Sequence, residues 1–341
     1  MNSGRRATLS DVAALAGVSA TTASYILNGR SEEMRISVAA QERVRSAAAQ
    51  LSYRPNPSAR NLRTSTTRSV GLISDLLAGG QFASQMITGA TTAARPYDHT
   101  VLIGEAQGDP DLEKMFISEM IDRRVDGIVY AKVVTSEVDV PEILRTQRAV
   151  LLNCVDASSA LPAVVPDDYE GGRSAAAALL ASGIRDGIYV VGERPSQGTL
   201  AGGLRLNGIR DRLHADGARL ESELVCAWAV REAFDAVSAF LDAGGAPRGF
   251  LCMNDRIAMG TYQALAEHGL SVPDDVSVVS FDGSDLATWL RPQVTSVVLP
   301  YAELGARAVD LVLGDPRAGA GVTRVPMPVF YGRSVATGPI P

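Results

Sequence analysis

From Ser69 onward the sequence alternates short apolar runs with helix-length stretches, and this constrains the fold more than any other feature. Runs of strand character stand at 70–74 (VGLIS), 100–106 (TVLIGEA), 126–131 (DGIVYA), 149–153 (AVLLN), 187–192 (GIYVVG), 249–254 (GFLCMN) and 276–282 (VSVVSFD). Helix-length stretches lie between them, at 82–95, 110–123, 171–182, 201–215, 231–243 and 256–268. Strand, helix and strand in succession close as a parallel pair with a crossover helix, so the pattern predicts open parallel sheets covered by helices. Seven strands in groups of four and three predict two lobes. The segment PDDYEGG (166–172) reads as a crossing between them, and 295–300 and VPMPV (325–329) read as two more. Ligands of open parallel sheets bind at the carboxyl ends of the strands, which places the predicted site between the lobes.

The first 68 residues are of another kind. Thr8 to Asn28 (TLSDVAALAGVSATTASYILN) reads as two short helices and a tight turn. Ser10 is the predicted N-cap of the first, with Asp11 suited to the positive end of the helix. Val12, Ala13, Leu15 and Ala16 give it an apolar side, and Gly17 ends it. Ser19 caps the second helix, which turns Ala23, Ile26 and Leu27 inward and Ala20, Thr21, Ser24, Tyr25 and Asn28 outward. Such a pair is either an ordinary helical hairpin or a helix-turn-helix whose second helix enters the major groove of DNA. Ser37 caps a predicted third helix to about Ser52, striped by Val44, Ala47, Ala48 and Leu51. Pro55 and Pro57 break it. The segment YRPNPSARNLRTSTTRS is then a linker, or a hinge that becomes helical only on DNA.

Charge separates the alternatives. The whole chain carries a formal −6, yet residues 1–68 hold ten arginines against four acids, a net +6 that leaves −12 on the remainder. A basic head on an acidic body is the distribution of a DNA-binding head with a soluble body. The same sequence excludes several classes. Its apolar runs are far too short to span a bilayer, and MNSGRRATLSD lacks the apolar core of a signal peptide, so a cytoplasmic protein with no membrane partner is expected. Cys154, Cys226 and Cys252 are widely spaced and form no CxxC pair, as in reduced core cysteines. His99, His214 and His268 stand apart and make no metal-ligand spacing. GERPSQG is not GxGxxG, and no GxSxG is present. No catalytic residue, metal or cofactor is expected, and the chain does not read as an enzyme.

The motifs TLSDVAALAGVSATTAS with ILN, YRPNPSARNLR, RRVDGIV, MNDRIAMG, GLSVPDDVSVVSFDGSD and TSVVLPYAELGARAV follow one another in an order that resembles the LacI/GalR family of transcriptional regulators over nearly the whole chain. The resemblance implies a small all-α helix-turn-helix head at 1–54 and a hinge at 55–68. It implies an α/β bilobal, periplasmic-binding-protein-like body of two doubly wound parallel sheets at 69–341, with an N-subdomain of about 69–165 and 300–323 and a C-subdomain of about 166–299 and 324–341. It further implies a homodimer on a pseudo-palindromic operator, repression as the commoner mode, and a small-molecule effector in each cleft, most often a sugar. A periplasmic sugar-binding protein shares such a body, but needs a signal peptide and no basic head.

Site residues carried over from the family fall into two sets. DNA-binding positions are Thr8, Ser19, Ala20, Thr21, Thr22, Ser24, Tyr25, Asn28, Ala59, Leu62 and Arg63. Ala20, Thr21 and Tyr25 occupy base-reading slots; most relatives have Arg in the place of Tyr25, and Tyr cannot make the bidentate guanine contact of Arg. The loop GRSEEMR is also a few residues longer than usual. Leu62 matches the hinge leucine that wedges into the minor groove, and Ala59 permits close approach of paired hinge helices. Effector-binding positions are Phe82, Asn153, Arg205, Trp228, Asn254 and Asp282. Arg205, Asn254 and Asp282 match polar ligands, Phe82 and Trp228 match aromatic walls, and Asn153 stands where some relatives carry Asp. Phe82 and Trp228 are equally compatible with plain core packing.

Overall fold

The structure is a computed structural model and describes residues 7–53, 66–75, 83–158, 161–192, 199–314 and 321–337. It divides into two units, Met1–Thr67 and Arg68–Pro341.

The first unit contains helices α1 (Leu9–Ala16), α2 (Ala20–Leu27) and α3 (Val38–Gln50). Thr8, not Ser10, caps α1. The Thr8 amide donates to Asp11 Oδ2 at 2.8 Å, and the Asp11 amide donates to Thr8 Oγ1 at 3.3 Å. This reciprocal box satisfies two amides that the helix leaves open. Ser10 cannot build one, because Ala13 stands three residues on. Gly17 closes α1 in the left-handed conformation, φ 63° and ψ 42°, which costs a residue without Cβ nothing. The Thr22 amide then donates to Ser19 Oγ at 3.0 Å and starts α2. Val12, Ala13, Ala16, Ala23, Ile26, Val44, Ala47 and Ala48 form the core. Leu15, expected on the apolar side, is 53% exposed. Ala13 and Ala16 fill the seam with α3 and leave Leu15 on a rim beside Glu42, Arg43 and Gln50. Arg43 Nε donates to the Ala16 carbonyl at 3.1 Å and ties α3 to the end of α1.

The second unit holds two six-stranded sheets. The first contains β1 (Ser69–Ser74), β2 (Thr100–Glu105), β3 (Gly127–Val138), β4 (Ala149–Asp156), β5 (Ala163–Pro166) and β11 (Val322–Val325), all parallel, in the order β11-β5-β4-β3-β1-β2. The second contains β6 (Ile188–Gly192), β7 (Leu220–Val225), β8 (Gly249–Cys252), β9 (Ser277–Asp282), β10 (Thr295–Val298) and β12 (Val329–Phe330), in the order β12-β10-β9-β8-β6-β7. It is parallel except for β12, which runs antiparallel to β10. The covering helices are α4 (Ala83–Ala94), α5 (Pro110–Asp122), α6 (Glu142–Arg145), α7 (Asp168–Leu180), α8 (Leu200–Ala215), α9 (Val230–Asp242), α10 (Asp255–Glu267), α11 (Asp285–Trp289) and α12 (Tyr301–Leu313). No helix among the described residues is long and apolar enough to cross a membrane.

The chain passes from the first sheet to the second between Pro166 and Asp168, returns between Val298 and Tyr301, and crosses again between Val325 and Val329. Five strands have no counterpart in the apolar runs: β5, β7, β10, β11 and β12. They are short, or lie at or near a sheet edge, as β7 (LESELV) does, with no residue fully buried. Hydropathy registers a strand only when enough of it is buried. In the second lobe α7 and α8 pack backbone to backbone. A Cβ on Gly172 would overlap the Arg205 carbonyl, and one on Gly208 would overlap that of Tyr169. This close approach sets Asp168, at the start of α7, against Arg205 in the middle of α8.

Candidate ligand cleft and nucleic-acid interface

The carboxyl ends of the second lobe's strands converge on Arg205, which is 2% exposed. Its Nε donates to Asp168 Oδ1 at 2.8 Å, and its Nη1 donates to the Met253 carbonyl at 2.7 Å. The guanidinium lies 4.6 Å from the Phe281 ring centre and 5.4 Å from that of Trp228. Asp282 ends β9 with φ 103°, and its Oδ1 stands 4.0 Å from Arg205 Nη1, beyond hydrogen-bond reach. Arg205 is thus paired with Asp168 and only faces Asp282. The Asp282 carboxylate makes no hydrogen bond among the described residues. Burial, then the charge of Asp255, pushes it well above the ordinary carboxylate range, with Arg205 opposing. Burial pulls the Arg205 guanidinium down, but Asp168 and Asp282 outweigh it and hold it above the usual arginine value. Tyr301, 5% exposed, closes the cluster, and burial followed by the Asp282 charge raises its phenol.

Around this cluster are groups with unused hydrogen-bonding capacity. Asn254 caps α10 through Oδ1, which accepts from the Ile257 amide at 2.8 Å, and its Nδ2 makes no hydrogen bond among the described residues. The Trp228 indole N–H and Asp168 Oδ2 are both buried and have no hydrogen-bond partner among the described residues. Asp255, next to Asn254, is spent on structure: it accepts from Ser296 Oγ at 2.8 Å, from the Ser284 amide at 2.7 Å and hydroxyl at 2.8 Å, and from Ser280 Oγ.

Arg205, Trp228, Asn254 and Asp282 are therefore brought together. Asn153 is not available to a ligand. Its Oδ1 accepts from Thr135 Oγ1 at 2.7 Å, and its Nδ2 donates to the Lys132 and Val133 carbonyls at 3.0 and 2.8 Å. With φ 57° it plugs the irregularity in β3 between Ala131 and Ser136. An amide is used there for its ability to satisfy two carbonyls and a hydroxyl at once. Phe82 lies outside the described residues. Asp168, Phe281 and Tyr301 stand in the same cluster and are not singled out by the sequence. A signal existed for Asp168, an acid inside PDDYEGG at a predicted crossing, whereas Phe281 looks like any core strand residue. Burial pushes the free thiols of Cys154 and Cys252 up to about 12 and that of Cys226 up to about 11, so all three stay protonated and unreactive at neutral pH.

On the first unit, Ala20 and Thr21 are exposed at the start of α2, while Ser24, Tyr25 and Asn28 are half-buried. Thr22 Oγ1 is 2.8 Å from Ser19 Oγ, and Asn28 Nδ2 donates to the Ser24 carbonyl at 2.7 Å. Both are helix-end contacts. Thr8 is committed to its capping box. The Tyr25 ring carries Arg30 5.3 Å from its centre, and Arg30 in turn pairs with Glu33 at 2.5 Å. Ala59, Leu62 and Arg63 lie outside the described residues.

A helix-turn-helix unit joined to a two-lobed α/β body, with polar groups converging between strand ends, defines a ligand-responsive DNA-binding regulator. Residues 8–56 match the model of the bacterial regulatory proteins of the lacI family, and residues 176–335 match the periplasmic binding protein-like domain. The chain is similar to the HTH-type transcriptional regulator RegA of Clostridium saccharobutylicum, at 28% identity over 310 residues, 89% of this chain and 91% of RegA. It is likewise similar to the HTH-type transcriptional repressor PurR of Vibrio campbellii, at 28% identity over 319 residues, 90% of this chain and 91% of PurR. The crystal structure of the lac repressor dimer bound to operator and the anti-inducer ONPF superposes with a TM-score of 0.81 at 24% identity, covering 97% of this chain and all of that one.

Proposed function

We propose that this regulator is a homodimeric repressor of a pseudo-palindromic operator, with no enzymatic activity of its own, controlled by a polyhydroxylated effector, a sugar, in the cleft. The observation that carries the reading is the Asp282 carboxylate, buried at a strand end with its acceptor positions unused beside Arg205, Asn254 Nδ2 and the Trp228 face. Two hydroxyls of a pyranose can donate to one carboxylate, and the apolar face of the ring suits an indole. Asp282 and Asn254 touch the effector in this arrangement. Arg205, with two of its three nitrogens spent, sets the charge and position of Asp282. On the head, Ala20 and Thr21 reach bases, and Tyr25 reaches the groove edge with Arg30 beside it. Leu62, Ala59 and Arg63 complete the contact through the hinge. The operator-bound dimer of the lac repressor, similar in fold, supports the dimeric arrangement.

Charge-assisted hydrogen bonds contribute about 1.5–3 kcal/mol each. Asp282→Ala should therefore weaken effector binding by about tenfold or more while operator affinity in the absence of effector is kept. Calorimetric titration of the purified variant with a sugar found by thermal-shift screening, beside a titration with operator DNA, measures both. Unchanged effector affinity sinks the assignment, and joint loss of both affinities with early melting marks Asp282 as structural.

The pH dependence has a definite sign. Hydroxyl donors prefer the ionised carboxylate, so effector affinity should rise as pH climbs through the raised range of Asp282, and Asp282→Asn should flatten the profile. Stability of the ligand-free protein runs the other way. An acid whose pKa is raised by folding contributes stability that is fully present below its unfolded value and is lost as pH rises through the folded value. Thermal melts across pH, with and without the sugar, check both signs.

A further inference from the structure

Given that α2 is the helix that enters the major groove, we propose that the head reads guanine through Arg30, which lies past the end of that helix, and that Tyr25 and Glu33 position it. Guanine presents two acceptors in that groove, N7 and O6, and a fork of two parallel N–H groups matches both. α2 (ATTASYIL) has no Lys, Arg, Asn or Gln, so it carries no such fork. Its polar side chains are four hydroxyls, each with one proton and so able to meet one acceptor. Two of them have helix-end contacts: Thr22 Oγ1 lies 2.8 Å from Ser19 Oγ, and Ser24 Oγ accepts from Asn28 Nδ2 at 3.2 Å. Asn28, just after the helix, also donates Nδ2 to the Ser24 carbonyl at 2.7 Å, so its amide is spent on the helix end.

Arg30 is folded back onto α2. Its amide donates to the Tyr25 carbonyl at 2.9 Å across a left-handed Gly29, φ 75°. Its guanidinium lies 5.3 Å from the centre of the Tyr25 ring. Tyr25 stands four residues after the exposed Thr21, on the same face of the helix. The long loop GRSEEMR then coils, with the Met34 amide donating to the Arg30 carbonyl at 3.1 Å and the Ile36 amide to that of Ser31 at 2.9 Å. This turn brings Glu33 beside Arg30. Arg30 Nε donates to Glu33 Oε2 at 2.7 Å and Nη2 donates to Oε1 at 2.5 Å, which fixes one edge of the planar guanidinium. The opposite edge, Nη1 and the second N–H of Nη2, makes no hydrogen bond among the described residues, and it has the parallel pair that guanine requires. The mutual hydrogen bonds hold the Glu33 carboxyl below its ordinary range and the guanidinium above its own, so both are ionised at neutral pH. Their charges cancel. For a cation that only attracts phosphate such a carboxylate is a handicap, since it repels the duplex. What Glu33 adds is orientation. A long side chain ordered before binding loses less freedom when it meets a base.

Selection of operators from a random duplex pool by the full-length protein, followed by fluorescence-anisotropy titrations at fixed salt, tests this. Each selected half-site should hold a guanine whose exchange for adenine weakens binding by about tenfold or more. The double variant Arg30→Met, Glu33→Gln removes both charges together. It should lose that preference, yet bind random duplex within about twofold of the parent, because the net charge of the head is unchanged. Glu33→Gln alone keeps the fork and frees it. It should cut the guanine preference by about threefold while binding random duplex more tightly, an opposition that a merely structural role does not produce. Both variants change the surface and should keep the thermal transition of the parent. The proposal is overturned by a double variant that still prefers guanine. It is also overturned by a double variant that loses operator and random-duplex affinity equally, the mark of a phosphate contact. A Glu33→Gln variant with an undiminished preference removes the positioning role. If Thr21→Ala erases a base preference and the double variant erases none, Arg30 is excluded and α2 remains the reading helix. If neither erases one, both assignments fall.

Discussion

Arg205→Ala should destabilise the body by about 3–5 kcal/mol, the cost of leaving buried carboxylates without their cation. Asp168 and Asp282 are 1% and 7% exposed, and Arg205 pairs with the first at 2.8 Å and faces the second at 4.0 Å. At about 2–4 °C per kcal/mol for domains of some 150–250 residues, the melting temperature should fall by roughly 6–20 °C. The mechanism has a control. The triple variant Arg205→Met, Asp168→Asn, Asp282→Asn removes cation and anions together, and should recover most of the loss despite changing more residues. The deficit of Arg205→Ala should also shrink in acid, because without the cation that opposes it the already raised Asp282 carboxyl is pushed further up. Groups with raised folded pKa regain their stability as pH falls below it. Denaturant unfolding at about pH 5 and about pH 8 separates this from simple cavity formation, which is insensitive to pH. A variant as stable as the parent at both would show that the cluster is neutral before the arginine is removed.

The second large effect concerns the head. A fragment beginning at Ser69 should keep effector binding and lose sequence-specific DNA binding by about 10³-fold or more, the usual margin between specific and nonspecific affinity. The body carries a net −12 once residues 1–68 are set aside, so phosphate repels what remains. For the intact protein, operator affinity should fall steeply with salt, since the arginines of the head displace counterions from the duplex. Electrophoretic mobility shifts of chain and fragment on operator and scrambled DNA measure this. Specific binding retained by the fragment would remove the helix-turn-helix from the DNA interface. Leu62→Ala should weaken operator binding far more than binding to random sequence, because a wedge stabilises a kink and touches no phosphate.

Much of this molecule is legible in its residues, and the illegible parts have identifiable causes. The seven long apolar runs became β1–β4, β6, β8 and β9; all but the half-exposed edge strand β2 are largely buried there, and a strand buried on both faces must be apolar throughout. The four-residue β5, β10 and β11, the two-residue β12 and the polar edge strand β7 carry too little buried surface to register. Helix ends were readable wherever one side chain decides them, as at Gly17, Ser19 and Ser37. Thr8 was missed because its cap depends on a partner three residues away. The cleft was harder. Arg205 and Asp282 could be named from a family pattern, but Asp168 belongs with them only because Gly172 and Gly208 let two helices touch. Asn153 looked like a ligand for the same reason that makes it useful to the fold: an amide can satisfy several backbone groups at once.

The three crossings between the sheets also govern how the protein is made. β11 completes the edge of the first sheet, and α12 packs on α4, yet these elements span 301–325, near the end of synthesis. The first lobe therefore begins to emerge from the ribosome first, yet lacks α12 and its edge strand β11 until near the end. All strands of the second lobe but β12 lie between β5 and α12, so that lobe lacks only β12 when residue 298 emerges. A nascent chain stopped near residue 299 holds every strand of the first lobe but one, and should still fail to close that lobe's core, exposing the face that α12 covers. Premature termination there is thus expected to yield an aggregation-prone species rather than a shortened regulator.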